Sequence, residues 1–327
     1  TSVAAAVVGL ARSEDRQLLA NHGDLGRDLV RLWRTLLDFD GDGTSALLGG
    51  GDYDDRDPTR HPGARDIAGD AIDQDCDGYE PIPVPPPPPP PKIDLAAWRS
   101  SPAVQALLDR ARTMNVLVIS VDALRFDLLA PGAPHRSDFP RLTRLLDESV
   151  QFTRAVAPAA GTDISLCTLI TGRQDPFQEI GVTLAEAMKG SGRKTSSVLP
   201  REVLRYVGEV LLERGIDNPG RIYTDWDQED VGDHISASTT TFEGLRAITL
   251  AGNQPWFTWL HYFDVHEHHQ INVPEELRRQ VNPGGSDKTH RYRALLAAID
   301  QSVGSLLDEL ATRKLVDKTI VVFDLGG

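Results

Sequence analysis

Three apolar runs in this sequence end in side chains that can hold a cation or move a proton. Asn115-Val116-Leu117-Val118-Ile119-Ser120-Val121 runs into Asp122, and Thr319-Ile320-Val321-Val322-Phe323 runs into Asp324. Trp256-Phe257-Thr258-Trp259-Leu260 runs into a stretch holding His261, Asp264, His266, His268 and His269. Carboxylates suit hard divalent cations and imidazoles suit transition metals, although histidines on a loop are equally explained as polar surface. Between the first and third runs stands Gly161-Thr162-Asp163-Ile164-Ser165. At a helix N-terminus the Thr162 hydroxyl is a cap for free backbone amides. The same amides and dipole would also favour an alkoxide nucleophile and the anion it attacks. Local sequence alone favours the plain cap.

A second chemistry lies upstream. Asp38-Phe39-Asp40-Gly41-Asp42-Gly43 sets three carboxylates at alternate positions, with glycines that permit a sharp turn. Asp52, Asp54, Asp55 and Asp57 form a second group, and Asp70, Asp73, Asp75 and Asp77 a third. Residues 38–80 carry thirteen acidic side chains and three arginines, which places ten of the chain's fourteen net negative charges there. Such density repels itself unless something neutralises it. A solvated acidic linker is the plain alternative. The regular placing of glycine and proline around each group favours a calcium-binding module, because loops of oxygen ligands wrap that ion.

The elements that must position these residues follow from periodicity. After residue 93, apolar β-rich runs at 116–121, 195–199, 256–260 and 319–323 alternate with helical patterns near 140–149, 201–214, 236–250 and 290–312. This alternation predicts an α/β fold, a mostly parallel sheet with helices on both faces. Sites in such sheets form outside the carboxyl ends of strands, where Asp122, Asp324 and the histidines fall. Upstream, Leu18, Leu19, Leu25, Leu29, Leu32, Trp33, Leu36 and Leu37 recur at helical spacing. The opening residues 3–10 lack the basic flank and processing site of a signal peptide and read as the first turns of that helix. Nine of the eleven residues 81–91 are proline, a polyproline II spacer. The expected division is a helical segment 1–37, an Asp-rich module 38–80, a linker 81–92 and an α/β domain 93–327 that is incomplete at its C-terminal end.

Composition removes other classes. A chain of 327 residues with 40% hydrophobic content can bury a sizeable core. A net charge of −14 argues against a nucleic-acid partner, since phosphate binding needs clustered Lys and Arg. Two cysteines, Cys76 and Cys167, sit in different segments and make no disulfide framework. No run of ~20 apolar residues is present to span a membrane.

The motifs taken in order carry a resemblance. The run 116–127, Phe139-Pro140-Arg141-Leu142, residues 150–158, Gly161 to Arg173, His261-Tyr262-Phe263-Asp264-Val265-His266, Ile299-Asp300 and Thr319 to Gly326 resemble the N-terminal part of the catalytic domain of sulfatases of the alkaline phosphatase superfamily, over some 210 residues. In that family the nucleophile stands eleven residues before the Arg of Thr-Gly-Arg, which here is Thr162. Threonine cannot become formylglycine, so the resemblance narrows to threonine-bearing phosphotransferases and phosphodiester or phosphonate hydrolases. It implies Thr162 as nucleophile, Asp122 and Asp324 as ligands of a divalent ion (Ca, Mn, Zn or Mg), His261 or His266 contacting substrate or protonating the leaving group, and Asp264 and Arg173 binding substrate. The implied substrate is a small-molecule, lipid or glycan ester of sulfate or phosphate. Two departures stand out: Leu325 replaces the imidazole of Asp-His-Gly, and Leu166 replaces the Arg of Cys-x-Pro-x-Arg. They motivate a second expectation, an inactive sulfatase-like binding protein.

The acidic stretch resembles a short Asp-rich repeat of bacterial surface and secreted proteins. It departs at Tyr53, usually cysteine, and at Ala71, usually glycine, so Cys76 lacks the partner that the repeat implies. Together the two resemblances imply a periplasmic or cell-surface location, with any membrane anchor outside this chain.

Overall fold

The computed structural model describes residues 24–67, 69–76, 94–152, 155–173, 179–222, 235–266, 268, 269, 271 and 273–324. The opening turns, the polyproline spacer, Asp77 and Leu325 therefore lie outside the described residues. The chain divides into two compact units, residues 1–105 with 175–179, and residues 106–174 with 180–327.

The first unit begins its described part with helix α1 (Asp24–Leu37). Its apolar stripe meets the acidic loops only in part, since Val30 is buried while Leu29, Leu32, Trp33 and Leu36 stay exposed. Arg34, in the last turn of α1, donates to the carbonyls of Leu48 and Gly49 and ties the helix to the loops that follow. Those loops contain no strand among the described residues; Asp carboxylates bonded to nearby backbone amides shape them instead.

The second unit is a five-stranded parallel sheet in the order β3-β2-β4-β1-β5. Its strands are β1 (Asn115–Val121), β2 (Lys194–Pro200), β3 (Asn218–Ile222), β4 (Trp256–Tyr262) and β5 (Thr319–Asp324). The central strands β1 and β4 are buried at every position, as their unbroken apolar runs require of strands covered on both faces. One face packs against α3 (Pro140–Asp147) and α7 (Asp287–Thr312); the other packs against α4 (Thr162–Thr171) and α5 (Leu184–Gly190). Two further helices are α2 (Pro102–Arg112) and α6 (Ala237–Ala251). No described helix is long and apolar enough to cross a membrane.

Strand β3 escaped the reading of periodicity. Its sequence, Asn-Pro-Gly-Arg-Ile, has poor strand propensity, and Pro219 lacks an N–H. It is tolerated because β3 pairs only with β2, at the sheet edge.

Helix α7 anchors the loops around it through two buried charged groups. Arg293, with none of its side chain exposed, pairs with Asp138 at 3.0 Å and donates to the carbonyls of Asn282 and Gly284. Asp300, 2% exposed, accepts the Leu142 amide at 2.7 Å in the first turn of α3, where helix amides have no internal partner. Burial pushes the Asp300 carboxyl up to about 6, against the pull of the Leu142 and Arg141 amides. The native state therefore holds a proton between about pH 4 and pH 6 that the unfolded chain has released, and this group's contribution to stability falls as pH rises through that window. Replacing Asp300 by Ala is expected to lower the unfolding free energy by about 1–2 kcal/mol, the usual cost of a lost cap. Asp300→Asn, with a neutral acceptor, should lose less and abolish this pH dependence; urea titrations from pH 4 to pH 7 check both.

Candidate active site

Alternation along the parallel strands decides which residues meet. Leu117, Ile119 and Val121 of β1 pack on the α3/α7 side, whereas Val116 and Val118 pack with Leu166, Cys167 and Ile170 of α4. Ser120 and Asp122 continue the second row. On β4, Phe257 and Trp259 share the α4 side, which puts His261 there too. Ser120 is in register with His261 on one neighbouring strand and with Asp324 on the other. Three adjacent strands thus bring His261, Ser120 and Asp324 to one level, with Asp122 just beyond their ends.

Asp122 is 1% exposed, and its carboxylate has two neighbours of different chemistry. The Thr162 hydroxyl donates to it, at 3.0 Å from Oδ2 and 3.2 Å from Oδ1. His261 Nε2 lies 3.3 Å from Oδ2. The other ring nitrogen of His261, Nδ1, is 2.8 Å from Ser120 Oγ, which accepts from Trp259 Nε1 at 2.9 Å. Asp324 is half-buried; burial pushes its carboxyl up while nearby His261 partly offsets the shift.

The turn after Asp122 is strained and clamped. Ala123 has φ +52°, a left-handed conformation unfavourable for a residue with a Cβ. Tyr292 of α7 holds it there: its hydroxyl donates to the Ala123 carbonyl at 2.7 Å and accepts the Arg125 amide at 2.9 Å. Burial pushes the Tyr292 hydroxyl up to about 12, so it remains a donor at neutral pH.

The geometry shows where the other expected site residues lie. Thr162 does not cap its helix: Gly161 occupies the cap position and Thr162 is the first helical residue, its hydroxyl turned to Asp122. A side chain at Gly161 would meet Asp163 Oδ1 at 2.6 Å, so the Asp163 carboxylate would have to shift to admit one. Asp264, expected to bind substrate, is buried and accepts from the Ser236 and Ala237 amides at the start of α6, a cap's role. Arg173, also expected at the substrate, is exposed beyond the opposite end of α4, and ten residues of helix rise set it about 15 Å from Thr162. Among the described residues the histidines form no group at metal-ligand spacing: His266 stacks on Phe263 at 4.5 Å, and His268 packs edge-on against His269 and Tyr292.

In the first unit, carboxylate oxygens of Asp38, Asp40 and Asp42 lie within 4.8 Å of one another, as do those of Asp66, Asp73 and Asp75. Among the described residues, Asp122, His261 and Asp324 are not a third group at that spacing. Asp40 Oδ2, Asp42 Oδ2, Asp52 Oδ2 and Asp55 Oδ1 are buried without a hydrogen-bond partner. Burial pushes the Asp40 and Asp52 carboxyls up, and repulsion from neighbouring aspartates adds to the shift. Asp54 pairs with Arg60, Asp57 accepts from Thr59, and both oxygens of Asp70 accept, one from Ile72 and one from Gln74. Cys76 is a free thiol whose sulfur accepts the Tyr53 amide at 3.3 Å, which brings together the two positions that the repeat pattern pairs.

A model of the sulfatase family matches residues 114–323. The chain belongs to the sulfatase family. A second model, Cu-binding_MopE, described as "Putative metal-binding motif", matches residues 52–79. No curated protein matches the chain. Among solved structures, the sulfatase domain is similar to Ps i-CgsB in complex with k-i-k-neocarrahexaose, at 16% identity and a TM-score of 0.53, covering 64% of this chain and 58% of that one. It is also similar to a protein in the alkaline phosphatase superfamily from Vibrio parahaemolyticus, at 16% identity and a TM-score of 0.50, covering 64% and 53%. These likenesses show an alkaline phosphatase/sulfatase-like fold, and the chain spans little more than half the length of either structure.

Sequence reading missed Ser120, Trp259, Tyr292 and Asp66. The first two look like ordinary strand residues, Tyr292 is 169 residues from Ala123 in the turn it clamps, and Asp66 stands alone without an Asp-x-Asp signature. Substitution of Tyr292 by Phe leaves the Ala123 carbonyl and Arg125 amide unpaired. It is expected to destabilise the domain by about 1–3 kcal/mol, measured by thermal or urea unfolding.

Proposed function

We propose that this chain carries the N-terminal part of a metal-dependent hydrolase or phosphoryl transferase that acts on sulfate or phosphate esters through Thr162. The observation that carries the reading is the Thr162 hydroxyl, at the start of α4, donating to a buried carboxylate at the carboxyl end of β1. A hydroxyl so placed can lose its proton to Asp122 as its oxygen attacks. Phosphorus is favoured over sulfur as the attacked atom, because threonine has no route to formylglycine.

Carboxylates are the donor chemistry for a divalent ion of the Ca, Mn, Zn or Mg type, and Asp122 and Asp324 are the proposed ligands. Asp122 and Asp324 are delivered by neighbouring strands, and the Asp324 carboxylate has no hydrogen-bond partner among the described residues. Bound there, such an ion would lower the pKa of the hydroxyl and polarise the ester. In the reaction the Thr162 Oγ1–phosphorus bond forms, the bond to the leaving oxygen breaks, and His266 or water supplies the proton to that oxygen. The phosphothreonine then passes its group to water or an alcohol. A small-molecule, lipid or glycan ester is the substrate class, and the periplasm or cell surface is the proposed location, with any membrane attachment through residues outside this chain. Leu325, alkyl where the family has imidazole, favours the second reading, an inactive binding protein.

With Mn²⁺, Zn²⁺, Mg²⁺ or Ca²⁺ present, the protein is expected to cleave bis(p-nitrophenyl) phosphate faster than p-nitrophenyl sulfate, and Thr162→Ala should lower kcat by at least ~10³-fold. Turnover untouched by that substitution overturns the nucleophile. Ester binding without turnover favours the inactive reading.

For the acidic unit the proposed ligand is calcium. Four buried, unpartnered oxygens from Asp40, Asp42, Asp52 and Asp55 support a cation there, and carboxylate oxygens suit a hard one. Calorimetric titration should detect calcium binding, and Asp40→Asn or Asp52→Asn should weaken it by ~10-fold or more. Binding of Cu²⁺ with no response to calcium would replace the calcium assignment.

A further inference from the structure

Five residues form one hydrogen-bonded file from the sheet interior to the Thr162 hydroxyl, and its inner half has no role in the reaction proposed above. Trp259 Nε1 lies 2.9 Å from Ser120 Oγ, Ser120 Oγ 2.8 Å from His261 Nδ1, His261 Nε2 3.3 Å from Asp122 Oδ2, and Thr162 Oγ1 3.0 Å from the same oxygen. Trp259, Ser120, His261 and Asp122 are each no more than 2% exposed, so water cannot substitute for any of these partners.

Hydrogen-bond accounting fixes the direction of the file. An indole N–H only donates, so Ser120 Oγ is an acceptor toward Trp259. The serine hydroxyl has one proton, and its remaining partner is His261 Nδ1. Were Nδ1 to carry the imidazole proton, the buried serine proton would have no acceptor, and Nε2 would set a lone pair against the Asp122 carboxylate. Both faults vanish when Ser120 donates to Nδ1 and the ring proton sits on Nε2, facing Asp122.

We propose that Ser120, itself oriented by Trp259, is a positioning residue that locks His261 in the Nε2–H tautomer. His261 then acts as a fixed donor to Asp122, and that carboxylate receives two donors, one from His261 and one from Thr162. In this state the Nε2 atom has no lone pair with which to take the Thr162 proton or to bind a cation, so His261 steers Asp122 and Asp122 receives the proton. Ser120→Ala removes the donor to Nδ1 and frees the ring to exchange tautomers or turn.

The tautomer is read directly from ¹⁵N–¹H correlation spectra of the histidine rings in the 327-residue chain, with the His261 signals identified by their loss in His261→Gln. The wild-type protein should show Nε2 protonated and Nδ1 bare. Ser120→Ala should show mixed or inverted tautomers, with Trp259→Phe shifting the same signals less and guarding against a folding failure of the first variant. Ser120→Thr, which keeps the hydroxyl, should restore the wild-type pattern. A wild-type ring protonated at Nδ1, or a tautomer unmoved by Ser120→Ala, overturns the proposal.

The effect on turnover rests on the reaction proposed above: kcat for bis(p-nitrophenyl) phosphate should fall ~10–100-fold in Ser120→Ala with KM little changed. A protein that turns over no ester defeats that reaction but leaves the ring spectra to decide the positioning role. Equal kcat in wild type and Ser120→Ala counts against the role even if the tautomer changes.

Discussion

Asp122 is a carboxylate almost wholly removed from water, and the surrounding structure is arranged around satisfying it. A buried charge without partners is costly enough that it would be neutralised or expelled. Here the compensation comes from separate pieces of chain, the Thr162 hydroxyl from the start of α4 and His261 from β4, while the Tyr262 carbonyl accepts the Asp122 amide and fixes the backbone beneath it.

Two devices keep the arrangement rigid. The parallel register places His261, Ser120 and Asp324 side by side, and alternation turns them to the α4 face. Beyond the strand, the left-handed turn at Ala123 persists because Tyr292 reaches from α7 to bond both sides of it. Helix α7 is in turn fixed by Arg293 and Asp300, which bind the loops at 138 and 282–284 and the start of α3. The strain near Asp122 is thus carried by a helix far along the chain.

The acidic unit follows the opposite logic. Its loops have almost no regular structure, and several carboxylate oxygens sit buried without donors. The described loops thus leave charge unpartnered, whereas the buried carboxylate of the sulfatase domain has its donors within the chain.

Much of the sulfatase domain was legible before any coordinates. Apolar or β-rich runs announced four of the five strands, most plainly the central β1 and β4, which are covered on both faces and need little polar alternation, and Asp122 and His261 were visible because such strands place their last residues at the open end of the sheet. Edge strand β3 was hidden by its proline and glycine. The resemblance gave roles to Asp264 and Arg173, but their surroundings left no trace in local sequence: that Asp264 meets the first amides of α6 depends on the packing of β4 against that helix. Pattern determined the element types and composition the charged module, while the family was carried by the ordered motifs as a resemblance. The pairing of residues 120 with 259 and 261, and of 123 with 292, depended on the register of the sheet and the docking of α7, because hydrogen bonds between remote segments leave no trace in local periodicity.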